Sequence, residues 1–460
     1  MSSTLIPIIS KTLGINAGQI QNTINLLSEG ATVPFISRYR KEATGSLDEV
    51  QIGDIQEEWK KLQDLLKRRE SILESIKSQD LLTPELESKI NNCWNPTELE
   101  DLYLPYKPKR KTKASVAREK GLEPLAGTLM KQELSDVEGF AMRFVKGDVA
   151  DVEDALSGAR DLIAEWVNER AFARNKVRQL FSRKAEISAK VVKSKAEEAE
   201  KYRDYFDFAE PLKRCPSHRM LAIRRAEAEG LLRVHILPEE DEALDILDNI
   251  FVKGRNAASE QVQIAVKDAY KRLLAPSLET EFKNGSKEQA DEEAIRVFAE
   301  NLRQLLMAPP LGPKRVLAID PGFRTGCKVV CLDEQGGLLS NENIYPHPPQ
   351  SESGQAAAKL SRLMESYKLE AIAIGNGTAG RETEDFIQRK MHLPKGTEVY
   401  VVNEAGASIY SASKVAREEF PTYDVTVRGA VSIGRRLMDP LAELVKVDPK
   451  SIGVGQYQHD

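Results

Sequence analysis

A chain of 460 residues is long enough for about three domains of ordinary size, which excludes a single small fold. Charged residues make up 30% of the chain and no apolar run reaches the roughly 20 residues of a membrane-spanning helix, while the net charge of −5 excludes a uniformly basic nucleic-acid-binding coat. The N-terminus has no signal-peptide pattern and the four cysteines form no CxxC pair, so we expect a cytoplasmic protein with reduced thiols.

Residues 1–185 are predicted to form an almost wholly helical region. Apolar residues recur at three- and four-residue steps from Ile52 to Ile76, which indicates a long amphipathic helix that starts after Asp48. A second long helix is expected from Asp151 to Arg183. Because the first pattern lasts only about four heptads, it favours packing within the domain, and hence a monomer, over a dimeric coiled coil.

Between these helices lies a stretch rich in proline and basic residues, 101–113, which predicts an extended connector. Tyr103 and Tyr106 could stack on nucleic-acid bases there, or could pack inward. The cations that we expect to contact phosphate in this stretch are Lys107, Lys109, Arg110, Lys111 and Lys113.

Residues 186–313 are predicted to contain a helix-turn-helix-like unit followed by connecting long helices. Ser217 is expected to cap a helix over 218–229, and a strand follows it, an order compatible with a winged helix-turn-helix. Arg224 and Arg225 on this helix are candidate phosphate contacts.

After a proline-rich break the pattern becomes α/β, and residues 314–447 are predicted to form a ribonuclease H-like domain. Three hairpin-linked strands followed by alternating helices and strands are typical of this fold. In that architecture the acid that ends the first strand, here Asp320, takes the place of the central metal ligand. The predicted strands are Val316–Ile319, Cys327–Leu332, Leu338–Ile344, Ala371–Ile374 and Val399–Val402.

The acids of this domain raise the question of nuclease activity. A two-metal nuclease needs three or four carboxylates around ions about 4 Å apart. The candidates are Asp320, Glu404 after the fifth strand, and Asp439 after the last long helix, but Asn376 stands at the end of the fourth strand, where resolvase-type members carry an acid. We therefore predict an incomplete, vestigial site with no metal or other cofactor, and Mg²⁺ only if the domain cleaves nucleic acid.

A nucleotide-binding alternative also starts from the turn at Asp320. The glycine-containing segments 320–326 and 375–378 could imitate the two phosphate loops of actin-like and sugar-kinase ATPases. The missing second ATPase half, with its own sheet, counts against this alternative.

Four separated blocks of the chain together resemble the bacterial Tex family. These are transcription accessory proteins related to the eukaryotic Spt-six elongation factor. The blocks are VPFISRYRKE at 33–42, DLYLPYK at 101–107, AIDPGFRTG at 318–326 and RRLMDPL at 435–441.

This resemblance implies a helical N-terminal region with a helix-turn-helix-like unit, followed by a YqgF-type ribonuclease H-like domain that is generally taken as a degenerate nuclease. Residues 448–460 also resemble Tex and are expected to begin a truncated helix-hairpin-helix region. Because Tex proteins continue into a C-terminal OB-fold domain that binds RNA, the chain is expected to be an N-terminal fragment.

We therefore predict a non-catalytic transcription accessory protein that binds RNA, or DNA, together with the transcription machinery. Contacts should be mainly to phosphate, with Arg324, Arg435 and Arg436 completing the predicted set. The alternative function is a metal-dependent, structure-selective nuclease.

Overall fold

The computed structural model describes residues 2–108 and 111–453. Two compact units divide the chain. The first comprises Met1–Ser188, Phe208–Arg214 and His235–Lys283, and the second comprises Ala189–Asp207, Cys215–Val234 and Asn284–Asp460.

The N-terminal region is helical, as predicted. Its helices are α1 (Ser2–Leu13), α2 (Ala17–Ser28), α3 (Val33–Tyr39), α4 (Lys41–Thr44), α5 (Glu49–Lys77), α6 (Pro84–Asn91), α7 (Pro96–Tyr103), α8 (Lys113–Glu119), α9 (Glu123–Lys131), α10 (Val137–Ala141), α11 (Val152–Glu169) and α12 (Ala171–Lys184).

Helix α5 organises the core of this region. Asp48 and Gln51 form a capping box at its start, which satisfies backbone N–H groups that the helix itself cannot pair. Its apolar stripe is buried against α1–α3, α6 and α7. Arg69 interrupts the stripe, and its guanidinium donates to the Cys93 carbonyl at 2.7 Å and lies 4.3 Å from the Trp94 ring centroid.

Two predictions for this region are wrong in detail. The helix expected from Asp151 to Arg183 is broken at Arg170, whose backbone is extended, although no glycine or proline marks the break. The connector expected to be extended from residue 101 is helical through Tyr103 and continues as a 3₁₀ turn to Tyr106, because its apolar side chains pack on the α5 core.

The middle of the chain contains a three-stranded sheet, in which β1 (Glu186–Val191) lies between β2 (Asp207–Pro211) and β3 (Leu232–Leu237), together with the helices α13 to α16. Ser217 is the first residue of its helix and makes no capping hydrogen bond, which corrects the prediction that it is the cap. The helix-turn-helix assignment stays a prediction. The elements are β1 (Glu186–Val191), β2 (Asp207–Pro211), α13 (Ser217–Ala228), β3 (Leu232–Leu237), α14 (Glu240–Phe251), α15 (Ala257–Ala269) and α16 (Ala275–Leu306), with a π-helical turn between the last two.

The C-terminal region contains a five-stranded sheet of order β6-β5-β4-β7-β8. The first three strands pair antiparallel, whereas β7 and β8 extend the sheet in parallel, so the predicted ribonuclease H-like fold is confirmed. Its elements are β4 (Val316–Asp320), β5 (Cys327–Leu332), β6 (Leu338–Ile344), α17 (Ser353–Ser366), β7 (Ala371–Gly375), α18 (Gly380–Lys390), β8 (Glu398–Val402), α19 (Ala407–Ala412), α20 (Lys414–Glu419), α21 (Val425–Met438) and α22 (Pro440–Leu444).

Helices cover both faces of this sheet. Alternation along β4 sends Leu317 and Ile319 into the core under α17 and α18, and Val316 and Ala318 into the core under α21. Ser413, whose backbone is extended, caps α20 and separates it from α19. Within the described residues, no helix is long and apolar enough to cross a membrane.

Candidate functional site: two carboxylates at the end of the central strand

Asp320 ends β4, the central strand of the sheet, between β5 on one side and β7 on the other. Glu404 lies two residues beyond the last residue of β8. Because β4, β7 and β8 are parallel, both acids lie at the same edge of the sheet, and they line one cleft of about 240 Å³. The other lining residues, from α19, α21 and their neighbours, are Ala407, Ser408, Ser411, Val425, Thr426, Gly429 and Ile433.

Glycines after β7 make room for the Glu404 carboxylate. A Cβ atom added at Gly377 would lie 1.6 Å from Glu404 Oε1, and one added at Gly375 would lie 2.2 Å from Oε2. Any side chain at Gly377 would therefore displace the carboxylate. The glycines of this segment serve the close approach of an acid, not the cradling of a phosphate that the nucleotide-binding alternative requires. Two acids in the cleft would also repel a nucleotide's phosphates.

Asn376, the amide in the place of an acid, helps to hold the loop that carries Glu404. Its Oδ1 accepts a hydrogen bond from the Glu404 backbone N–H at 3.1 Å, and its own N–H donates to the Val402 carbonyl at 3.0 Å. Asn376 thus helps to position Glu404 but adds no charge to the site.

Asp439 does not line the cleft. It follows the last residue of α21 and caps α22, where its carboxylate accepts from the Ala442 N–H at 3.0 Å. Helix α21 passes beside Asp320 at Gly429. Asp439 follows ten residues later, about 15 Å further along the axis of α21 at 1.5 Å per residue. Of the three candidate acids of the nuclease alternative, Asp320 and Glu404 therefore share the cleft and Asp439 does not.

Two carboxylates alone do not make a two-ion site. Among residues 2–108 and 111–453, no group of three or more His, Cys, Asp or Glu side chains is placed to hold a metal. The donor set therefore does not fit the pair of ions that in-line cleavage requires, and we derive no catalytic step through them.

Burial changes the acidity of Asp320. Desolvation, followed by the negative charge of Glu404, raises the pKa of Asp320 from 3.8 to about 6, and the ammonium of Lys328 opposes this rise. Lys328 pairs with Asp320 across the β4–β5 hairpin, and its Nζ donates to the Thr325 carbonyl at 3.0 Å. One oxygen of Glu404, Oε2, is buried without a hydrogen-bond partner in the described structure. Burial and the nearby Glu404 carboxylate thus both disfavour the ionised form of Asp320.

The raised pKa of Asp320 should make the second unit less stable as the pH rises from about 4 to 6. In that window the unfolded Asp320 loses its proton while the folded one keeps it, so the unfolded state binds fewer protons and the free energy of unfolding falls. Asp320→Asn should abolish this fall and raise the free energy of unfolding at pH 7 by about 2 kcal/mol. Amide hydrogen exchange of β4 and β5 at pH 4 and pH 7 measures the effect. An equal pH dependence in the wild type and the variant would contradict it.

The two arginines of α21 have structural partners. Arg435 donates to the Gly336 carbonyl at 2.9 Å and pairs with Glu419 at 3.0 Å. Arg436 is 4% exposed, and its guanidinium donates to the carbonyls of Asn403 and Ala405, on either side of Glu404. The burial of Arg436 corrects its prediction as a nucleic-acid contact, whereas that of Arg435 stays a prediction. Arg436 positions the loop that carries Glu404. Its burial could have been predicted from the sequence, because Arg436 lies two helical turns after Gly429 and so on the same face of α21.

The other residues predicted to contact nucleic acid are of two kinds: some are exposed, and some are already paired with other residues of the protein. Arg224 pairs with Glu227 and Arg225 lies 3.4 Å from Glu229, so neither is a free cation. Tyr103 is buried with its hydroxyl 2.9 Å from Ser75 Oγ, so it is not free to stack on a base, and Tyr106 is partly buried against the same core. The exposed cations are Lys107, Lys111, Lys113 and Arg324, whereas Lys109 and Arg110 lie outside the described residues.

Sequence reasoning missed two further charged residues at the cleft. Lys328 could have been found from the hairpin, since it follows the turn at the register opposite Asp320. Asp424 caps α21 next to the cleft residues Val425 and Thr426, and hydrogen bonds from Thr426 and Val427 lower its pKa. The aspartate–residue–threonine pattern before an apolar helix was its signal.

Comparison with known proteins places this geometry in a family. Three family models match successive parts of the chain: a Tex-like protein N-terminal domain at residues 3–77, a Tex central region-like model at 132–298, and a Tex protein YqgF-like domain at 314–438. The chain belongs to the Tex family. The YqgF-like match contains both cleft carboxylates.

Individual relatives of this Tex-family chain align with it over nearly its whole length. It is 45% identical over 98% of its length to the uncharacterized protein YdcI of Bacillus subtilis, of which it covers 64%. It is 44% identical over 98% of its length to the transcriptional accessory protein Tex of Neisseria gonorrhoeae, covering 60% of that protein. It is 32% identical over its full length to the human S1 RNA-binding domain-containing protein 1, covering 48%. The chain therefore spans less than two thirds of these relatives.

Proposed function

We propose that this Tex-family chain is a non-catalytic transcription accessory protein that binds single-stranded nucleic acid, in particular RNA. The observation that carries the proposal is the cleft at Asp320, in which a ribonuclease H-like fold presents two carboxylates and an asparagine where a nuclease needs a third acid. The name of the Neisseria relative supports a role in transcription, and the name of the human relative favours RNA.

Phosphate contacts supply the affinity in this proposal. Lys107, Lys111 and Lys113 are exposed in the first unit, and Arg324 is exposed beside Phe323 in the loop after β4. Lysine and arginine contacts to phosphate carry little sequence preference and release counterions on binding. Binding should therefore depend strongly on salt and weakly on base sequence.

Titration of labelled single- and double-stranded RNA and DNA against the chain tests this proposal. If Lys107, Lys111 and Lys113 each contact one phosphate, these three contacts should account for an about 20-fold fall in single-strand affinity between 50 and 200 mM salt. Alanine at the three lysines should lower the slope of log affinity against log salt by about 2. Lys61→Ala is the matched control, because the Lys61 ammonium is already paired with Glu57 at 2.7 Å. Absence of binding even at low salt would contradict the proposal.

The runner-up is a metal-dependent nuclease, favoured by one observation: Asp320 and Glu404 do share the cleft. Incubation of branched and single-stranded substrates with Mg²⁺ or Mn²⁺ separates the two functions. We expect no cleavage. Cleavage that is lost in Asp320→Asn would overturn the non-catalytic proposal in favour of the nuclease.

A further inference from the structure

Helix α3 presents two aromatic rings to solvent. Phe35 is 41% exposed and Tyr39 is 63% exposed, and they lie one helical turn apart with ring centroids separated by 5.4 Å. The opposite face of the same helix is anchored in the core, where Ile36 is fully buried. Two large aromatic side chains displayed side by side on a short helix are not needed for its packing.

Three exposed cations lie close to these aromatic residues in the sequence. Arg38, Arg40 and Lys41 are exposed, and none of them forms a salt bridge with another described residue. The Arg40 guanidinium carbon lies 5.4 Å from the centroid of the Phe35 ring, within the range of a cation–π contact. One acid, Glu42, follows in the sequence and is exposed, which leaves the surface with an excess of positive charge.

Hydrogen bonds from α2 hold the segment 43–45, which follows this surface in the chain. Gln19 Nε2 donates to the carbonyls of Thr44 and Gly45 at 2.8 and 3.2 Å, and Asn22 Nδ2 donates to the Ala43 carbonyl at 2.7 Å. Gly45 has a positive φ of 65°, and a Cβ there would lie 2.6 Å from Gln19 Nε2. The segment that follows the rings is thus fixed before any ligand arrives, which lowers the entropy cost of binding.

We propose that Phe35, Arg38, Tyr39, Arg40 and Lys41, here the α3 platform, bind unpaired nucleotides of single-stranded nucleic acid. Bases stack on the Phe35 and Tyr39 rings, and the three cations contact the neighbouring phosphates. Bases of a duplex are already stacked on one another, so the platform selects single strands. The inference rests on the proposed function and extends it to residues outside the predicted phosphate contacts.

Fluorescence anisotropy with a labelled 12-nucleotide oligouridine, the matching oligodeoxythymidine and a 12-base-pair duplex tests the platform in the intact chain. Phe35→Ala with Tyr39→Ala should weaken binding of both single strands about tenfold and leave duplex binding unchanged. Alanine at Arg38, Arg40 and Lys41 should lower the slope of log affinity against log salt by about 2. The controls are Leu81→Ala, which removes an exposed apolar side chain from the same unit, and Lys60→Ala with Lys77→Ala, which removes exposed charge.

Photo-cross-linking of 5-iodouridine-substituted RNA adds a readout independent of affinity, with cross-links expected in the peptide 31–45. Wild-type single-strand affinity and retained cross-links in the Phe35→Ala, Tyr39→Ala variant would overturn the platform while leaving the proposed function intact. If the same variant instead loses retention on immobilised RNA polymerase, the platform docks a protein and the inference is equally overturned. No single-strand binding by the wild type would remove both proposals.

Discussion

Asp101→Asn should lower the free energy of unfolding of the first unit by about 3 kcal/mol. Asp101 is 5% exposed, and its Oδ1 accepts from Arg174 Nε at 2.8 Å. Arg178 Nη2 lies 2.8 Å from Oδ2, in ion-pair contact although the angle falls short of a directional hydrogen bond. Arg178 keeps a second partner in Glu281, whereas within residues 2–108 and 111–453 the other hydrogen-bond partners of Arg174 are the neutral side chains of Asn168 and Ser277. The substitution therefore leaves a buried guanidinium without a counter-charge, the costly outcome for a buried pair.

The neighbouring residue provides the control for this variant. Glu100 pairs with Arg68 at 2.6 Å, but both side chains are more than two-fifths exposed, so Glu100→Gln should change stability by less than about 0.5 kcal/mol. Trp59, Trp94 and Trp166 all belong to the first unit, so urea unfolding followed by tryptophan fluorescence reports on it selectively. Equal midpoints for the two variants would show that burial does not distinguish the pairs.

Gly434→Val should destabilise the second unit by about 3 kcal/mol. A Cβ at this position of α21 would lie 2.5 Å from Leu332 Cδ1 and 2.8 Å from Ala318 Cβ, so the helix must move away from β4 and β5. The same helix carries Gly429 and Ile433 into the cleft, and its movement should disturb the surroundings of Asp320 as well.

Gly429→Ala, five residues earlier on α21, is the matched control for Gly434→Val. Its Cβ would meet Asp320 Oδ2 at 3.4 Å, an ordinary contact, and alanine is the better helix former by about 1 kcal/mol. Hydrogen exchange of the β4 and β5 amides should therefore accelerate in Gly434→Val but not in Gly429→Ala. Acceleration in both would mean that α21 tolerates no added side chain on either turn.

Sequence by itself determined where the strands of the C-terminal sheet begin and end. The all-apolar strands of the C-terminal sheet were predicted to within one residue at each end, since buried parallel strands leave a continuous hydrophobic signal bounded by turns. The same signal placed Asp320 at the end of β4 and Glu404 just after β8, so both acids of the cleft were predicted.

Tertiary structure alone decided which charged residues face solvent or the cleft and which are paired within the protein. Arg436 and Arg324 are both cations in a Tex-like motif, yet one is buried against backbone carbonyls and the other faces solvent. Asp439 and Glu404 both follow regular elements, yet only Glu404 reaches Asp320, because parallel strands end at a common edge whereas α21 runs away from it. Sequence spacing specifies local periodicity, but the partner of a side chain is set by elements distant in the chain, and for these charges that partner determines the role.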